Sequence, residues 1–293
     1  AESSSYEDFR VKFSYEDKTR FDYWKRMQFT TEQWKGLKQH CEDLKLDFIA
    51  SPFSCQAVDL LETINNKIYK IGSGEVNNKL MIEKIAKLNR KIILSSGLSS
   101  MSELKRAVKW IHTNECNDIS ILQCTTNYPT KPENWGLNVI EDLKKEFKNI
   151  PIGFSDHSGT IYSGISAFLY GAEILEFHVA FDKRIFGPDS TSSLTIDEIT
   201  ELSYAISIIK KSLQNPLDKN SLNENNSNKI RFGKSLSVNM DLDEGHVIQT
   251  SNLETKKPFG KGISPIDYDQ IIGKSINKKL KKNSFITKND IVW

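Results

Sequence analysis

No stretch of this chain approaches the ~18 to 20 consecutive apolar residues that a bilayer-spanning helix needs. Its opening, "AESSSYEDFR", has neither the basic flank nor the apolar core of a secretory signal. Membrane insertion and secretion are therefore not expected. Cysteine is scarce. The four, at 41, 55, 116 and 124, form no CxxC pair and no zinc-type spacing, so neither a disulfide framework nor a structural zinc is expected, and a reducing, cytoplasmic setting is. Net charge is nearly absent as well: 40 Lys and Arg against 38 Asp and Glu leave +2, too balanced for nucleic acid or an anionic membrane surface to be a general partner. The imbalance that exists is local. From Lys229 to Trp293 there are 12 basic and 7 acidic residues, so that segment carries +5 and the rest about −3.

What is present is a regular alternation. Seven β-rich runs recur at 10–14 ("RVKFS"), 46–51, 68–72, 91–96, 119–124, 150–155 and 173–180. Helical patterns lie between them. Trp34, Leu37, Cys41 and Leu44 recur at near-helical spacing, and Leu104, Ala107, Val108 and Ile111 fall on i, i+3, i+4, i+7. Ser100 with Glu103 and Thr195 with Glu198 read as capping boxes, hydroxyl and carboxylate each satisfying an orphan amide. Alternating strand and helix implies parallel strands joined by crossovers. Almost every run ends in small or reactive side chains: "ASPFS", "GSGE", "SSGLSS", "CTTNYPT", "FSDHSG", "EFHVAFD". A doubly wound sheet concentrates such groups at one switch point, usually with a glycine-rich phosphate turn after its first strand. A (β/α)8 barrel collects them from all its strands on one face. The distribution favours the barrel. A helix at 196–213 is followed by an asparagine-rich linker without aromatics, and the expected organisation is a barrel domain over 1–212, a linker over 213–228 and a small β-rich domain over 229–293.

Two of only five histidines, His157 and His178, stand at the ends of consecutive predicted strands. Neighbouring strands lie about 5 Å apart, so both imidazoles can reach one point above the mouth. There they form a divalent-metal site with open positions, with Ser155, Asp156 and Glu176 nearby. The alternative is that each is simply a hydrogen-bonded strand-end residue. In "RVKFS" and "IYKIG" strand alternation puts Val11 with Phe13, and Tyr69 with Ile71, on one face, and Lys12 and Lys70 on the other. If the bulky residues face the helices, both lysines point into the barrel, where an ammonium requires a compensating anion. The alternative is a pair of snorkelling surface lysines. Asp189, in the Gly-Pro turn of "IFGPDSTSSL", reads locally as a turn former.

Taken in order, "VKFS", "SPFS", "YKIGSGE", "ILSSGLSS", "CTTNYPT", "GFSDHSG", "EFH…GPD" and "KKPFGKGIS…IIGKS" resemble the N-acetylneuraminate (sialic acid) synthase family, including its legionaminic and pseudaminic acid synthases. The resemblance runs from about residue 10 to 293. It implies a (β/α)8 TIM-type barrel followed by an antifreeze-like (SAF) domain. It further implies a domain-swapped homodimer, and an enzyme that condenses phosphoenolpyruvate with an N-acylated mannosamine-type sugar and releases phosphate. The family pattern makes His157 and His178 ligands of a divalent metal, Mn2+ in type, with Mg2+ or Co2+ as alternatives. It places Lys12, Ser51, Lys70, Ser73 and Ser155 at phosphoenolpyruvate-binding positions. Glu75, Tyr128, Glu176 and Asp189 match positions lining the sugar and the reaction centre, Asp189 or Glu176 managing protons; Thr126 and Asn127 lie where a sugar-contacting asparagine can occur.

Two departures stand out. The family's first strand, with its "AEIG…NHNG" motif and catalytic glutamate, has no counterpart here, so a barrel lacking its first strand is expected. In the tail, Lys257 replaces an arginine, which keeps the charge but loses bidentate recognition. The competing functions are another phosphoenolpyruvate–aldose condensing enzyme on the same barrel and a truncated, non-catalytic sugar-binding homologue.

Overall fold

In the computed structural model of the protein, residues 14–221 and 226–293 are described. The chain divides into two compact units, Ala1–Gln214 and Asn215–Trp293. The larger unit runs α1 (Arg20–Met27), α2 (Thr31–Asp43), β1 (Ile49–Ala50), α3 (Cys55–Thr63), β2 (Ile68–Ile71), α4 (Lys79–Ala86), β3 (Lys91–Ser95), α5 (Met101–Thr113), β4 (Ile119–Cys124), α6 (Leu137–Glu146), β5 (Ile152–Asp156), α7 (Ile161–Leu169), β6 (Leu175–Phe177) and α8 (Ile196–Leu213). Six of the seven expected strands appear. The remaining one, at 10–14, falls almost wholly outside the described residues, and Lys12 with it.

All six strands are parallel and their spatial order is their chain order. A doubly wound sheet reverses its order at a switch point; this one never does. With right-handed crossovers, an unreversed order puts every helix on one face and curls the sheet away from them. The curl is visible in one contact. Four strand spacings separate β2 from β6, about 19 Å in a flat sheet, yet Lys70 Nζ on β2 lies 3.1 Å from Glu176 Oε1 on β6. The sheet is an arc of a barrel whose inner side chains meet across it.

Register makes the two faces consistent. Lys70 pairs with Ile93, Ile93 with Ser120, Ser95 with Leu122, Leu122 with Gly153, Cys124 with Ser155 and Ser155 with Glu176. Paired residues share a face, so these form the inner surface, which turns polar toward the strand ends. The outer residues Tyr69, Ile71, Ile92, Leu94, Ile121, Ile152 and Phe154 are fully buried against helix residues such as Val58, Ile82, Leu104 and Ile140. Tyr69 donates its hydroxyl to Glu62 on α3 at 2.7 Å, so the bulky alternates of "IYKIG" do face the helices. Both expected capping boxes are formed, Ser100 with Glu103 and Thr195 with Glu198. The helix expected around Trp34 to Leu44 is α2, but it buries no residue completely. It docks through Trp34, edge-on to Phe48 at 6.3 Å, beside the sheet's terminal strand.

Gly153 marks where the inner layer is tightest. A Cβ there would stand 2.4 Å from Leu122 Cδ2 and 2.5 Å from the Ile174 carbonyl oxygen. The backbone oxygen cannot swing aside. Gly153→Ala is expected to lower stability by about 2 kcal/mol, read from urea unfolding followed by tryptophan fluorescence; an unchanged midpoint would show that the layer has room.

The smaller unit contains α9 (Ser227–Phe232) and an antiparallel pair, β7 (Ser235–Val238) with β8 (Leu253–Lys256). It closes over its own core of Leu236, Val238, Leu242, Ile248, Ile271, Ile276, Ile286 and Ile291. No helix among the described residues is long and apolar enough to cross a membrane.

Candidate active site at the strand ends

Strands β2, β5 and β6 and the segments that follow β2, β4, β5 and β6 bring the expected residues together. Glu176 is the hub on the inner face: its Oε1 accepts from Ser155 Oγ at 2.7 Å and pairs with Lys70 Nζ at 3.1 Å. Lys70 is 8% exposed. The anion that compensates its buried ammonium thus comes from the chain itself, where the sequence had suggested a ligand. A bound anion would compete with Glu176 for that charge.

Above this pair stand the two imidazoles, their ring centroids 4.9 Å apart and nearly perpendicular. His157 follows β5 and is 5% exposed. Its Nδ1 lies 2.8 Å from the Thr125 carbonyl oxygen and its Nε2 2.9 Å from the Tyr128 hydroxyl. Tyr128 packs its ring on His157 at 4.1 Å and also approaches His178, at 5.9 Å. Asp189, the supposed turn former, sets Oδ2 3.5 Å from His178 Nδ1. Its loop is held by Lys183, which donates to the Gly159 carbonyl at 2.8 Å and to Glu198 at 2.6 Å. An adjoining cleft of about 430 Å³ is lined by Tyr23, His178, Phe181, Ile185, Pro188 and Asp189, within the range that takes small ligands.

Protonation follows from these surroundings. Burial, reinforced by the neighbouring His178, lowers His157 to about 4, so it stays neutral throughout the physiological range. Its contact with His178 holds Asp189 below the usual carboxylate range. Burial pushes Tyr128 up to about 12, which keeps its hydroxyl a donor. Because the unfolded imidazole titrates near 6.5, the unfolded chain takes up a proton between pH 6.5 and 4 that folded His157 refuses. Stability is therefore lost as pH falls through that window, by about 3 kcal/mol in all. In chelator, the urea midpoint should drop from pH 7 to pH 4 in the wild type and drop less in His157→Asn; equal slopes would contradict the burial account.

Other expected residues are placed less tightly. Ser73 opens the turn after β2, and its Oγ is buried without a hydrogen-bond partner among the described residues. Gly97 permits this crowding: a Cβ there would meet Thr126 Cγ2 at 2.7 Å, Ser73 Oγ at 2.8 Å and the Cys124 carbonyl at 2.9 Å. Thr126, Asn127 and Ser51 are exposed. Glu75 accepts from Asn78 at 2.7 Å. Lys257 belongs to the smaller unit, its Nζ 5.1 Å from the centroid of the Phe232 ring. Two residues went unnoticed in the sequence. Ser95, on the inner face, also has a buried Oγ without a partner among the described residues; "SSG" signalled polar character without saying which serine faces inward. Thr125 holds His157 and is buried, though "CTTNYPT" looks like an exposed polar loop.

Residues 1–217 match the NeuB family and residues 234–292 the SAF domain. The chain is 34% identical over 281 residues to the N,N'-diacetyllegionaminic acid synthase of Campylobacter jejuni, spanning 95% of this chain and 83% of that one. It is 33% identical over 262 residues to the human N-acetylneuraminate-9-phosphate synthase, spanning 88% and 72%. Among solved structures, it resembles the N-acetylneuraminic acid (sialic acid) synthetase of Leptospira borgpetersenii in complex with citrate, with a TM-score of 0.63, 29% identity and 70% coverage of each chain.

Proposed function

The chain belongs to the NeuB family, and from that premise we propose that it is a nonulosonic acid synthase. It condenses phosphoenolpyruvate with an N-acylated mannosamine-type sugar and water, and releases phosphate. The observation that carries the proposal is the convergence of His157, His178 and Tyr128 beside the pair of buried Lys70 with Glu176, on the strand-end face where barrel enzymes keep their chemistry.

In this reading Lys70, Ser73 and Ser155, with Lys12 and Ser51, bind the phosphate and carboxylate of phosphoenolpyruvate. Lys70 exchanges Glu176 for the substrate's charge, which costs little because both states keep the ammonium paired. Glu75, Thr126, Asn127 and Tyr128 orient the sugar in its open-chain form. C3 of phosphoenolpyruvate attacks the aldehyde carbon, water adds at the resulting C2 cation, and phosphate leaves by carbon–oxygen cleavage. Asp189, kept ionised, accepts the water's proton at its carboxylate, with Glu176 the other candidate for proton transfer.

The donor set fits a divalent cation. His157 Nδ1 faces a backbone carbonyl, which leaves Nε2 as a ligand, and His178 is the second imidazole. No group of three His, Cys, Asp or Glu side chains is gathered as a metal site among the described residues, so in this reading the two imidazoles would hold the cation and substrate and water would take the other positions. Bound there, an Mn2+-type ion would supply Lewis-acid polarisation of the aldehyde. The proposal extends to a cytoplasmic homodimer.

The test is phosphate release from phosphoenolpyruvate across a panel of N-acyl mannosamines, with and without Mn2+. Release should require both sugar and cation, and mass spectrometry should find a nine-carbon acid. Release at an undiminished rate without sugar would contradict condensation. Turnover only of phosphorylated aldoses lacking an N-acyl group would favour a different condensing enzyme.

A further inference from the structure

His157 is held on three sides, and the contacts determine its tautomer. A carbonyl oxygen can only accept, so the 2.8 Å approach of Nδ1 to the Thr125 carbonyl places the ring hydrogen on Nδ1. Nε2 then carries the lone pair, and the Tyr128 hydroxyl at 2.9 Å must donate to it. Thr125 acts twice more. Its Oγ1 accepts the His157 backbone N–H at 2.9 Å and lies 3.0 Å from Nδ1, sharing that hydrogen with the carbonyl. Thr125 is itself anchored, donating its N–H to the Ser155 carbonyl at 3.0 Å. With Thr125 2% and His157 5% exposed, water does not substitute for the Thr125 contacts. Ring angle, tautomer and lone-pair direction are therefore set before anything binds.

We propose that Thr125 is a positioning residue that fixes His157 as the Nδ1–H tautomer, and that the Tyr128 hydroxyl caps the Nε2 lone pair until a divalent cation displaces it. The inference rests on the reading of His157 as a ligand, but its first half does not need a cation. Holding a ligand's second nitrogen is how an outer partner raises metal affinity. The cap works in the opposite direction: each cation bound at Nε2 replaces one tyrosine hydrogen bond.

The test uses the full chain with 15N-labelled histidine and Mn2+ as the probe. In chelator, the wild type and Thr125→Ser should both show His157 in the Nδ1–H form; an Nε2–H spectrum would overturn the proposal. Thr125→Val, which keeps the shape but leaves the His157 N–H without its acceptor, should weaken Mn2+ binding about 10- to 100-fold, with Thr125→Ser restoring most of it. Tyr128→Phe should tighten Mn2+ binding by a few-fold up to about 10-fold, the worth of one ordinary hydrogen bond. Unchanged affinity in folded Thr125→Val, or weaker binding in Tyr128→Phe, would overturn the corresponding half. Should Thr125→Val fail to fold, the wild-type and Thr125→Ser spectra still decide the tautomer. A wild type that binds no Mn2+ would sink the metal reading and the cap together, while the tautomer assignment would stand or fall on its spectrum.

Discussion

Lys70→Met lowers kcat/KM for phosphoenolpyruvate by about 10³-fold, as expected when one preorganised charge aimed at a reacting anion is removed. The physical reason is position. Lys70 is on the inner face of β2, 8% exposed, and Glu176 is its only ion-pair partner among the described residues. Methionine keeps the stem's packing and removes the charge. Glu176 would lose its cation but keep the Ser155 hydroxyl, and its side chain is 37% exposed, so hydration limits the cost to the fold. The expected signature is a large kinetic loss with a small change in melting temperature. Steady-state kinetics alongside circular dichroism measure both; full activity would show that phosphoenolpyruvate does not meet this lysine.

His157→Asn abolishes cation-dependent turnover, an expected loss of at least about 10³-fold, since Lewis-acid polarisation is worth several kcal/mol of transition-state stabilisation. Unlike the lysine variant, it should lose Mn2+ along with activity, and added cation should restore little. Mn2+ at tenfold higher concentration rescuing the rate to wild type would mean that His157 serves the fold alone. Its stability should fall less than the wild type's at low pH, where removing a buried imidazole removes the acid penalty described above.

Much of this was legible in the sequence because barrel strands carry two periodic signals at once. In "IYKIG" alternation alone separated Tyr69 and Ile71 from Lys70, and Tyr69 indeed reaches Glu62 on α3 while Lys70 reaches across the arc. Capping boxes are local, and both were right. Strand limits were less so: the run at 46–51 forms a strand only over Ile49–Ala50, and that at 173–180 only over Leu175–Phe177, with Val179 adding an isolated bridge to Leu194. The rest depended on curvature. Nothing in the local chain around Glu176 announces that it neutralises a lysine more than a hundred residues earlier. Asp189 read as a turn former because its turn is local, whereas its approach to His178 is tertiary. Thr125 was invisible for a similar reason: polar residues after a strand look solvated until a neighbouring loop packs over them. Recognition of the family filled part of this gap by naming positions, but a resemblance names no contacts, and the Lys70–Glu176 pair came only from the fold.

The central claim is that His157 and His178, from successive strand ends, grip one cation. Mn2+ titration followed by electron paramagnetic resonance tests it most directly. The account predicts one tight site per chain, with magnetic coupling to two imidazole nitrogens, reduced to one nitrogen and weakened binding in His178→Ala. A spectrum with no nitrogen coupling, or one that His178→Ala leaves unchanged, would contradict it.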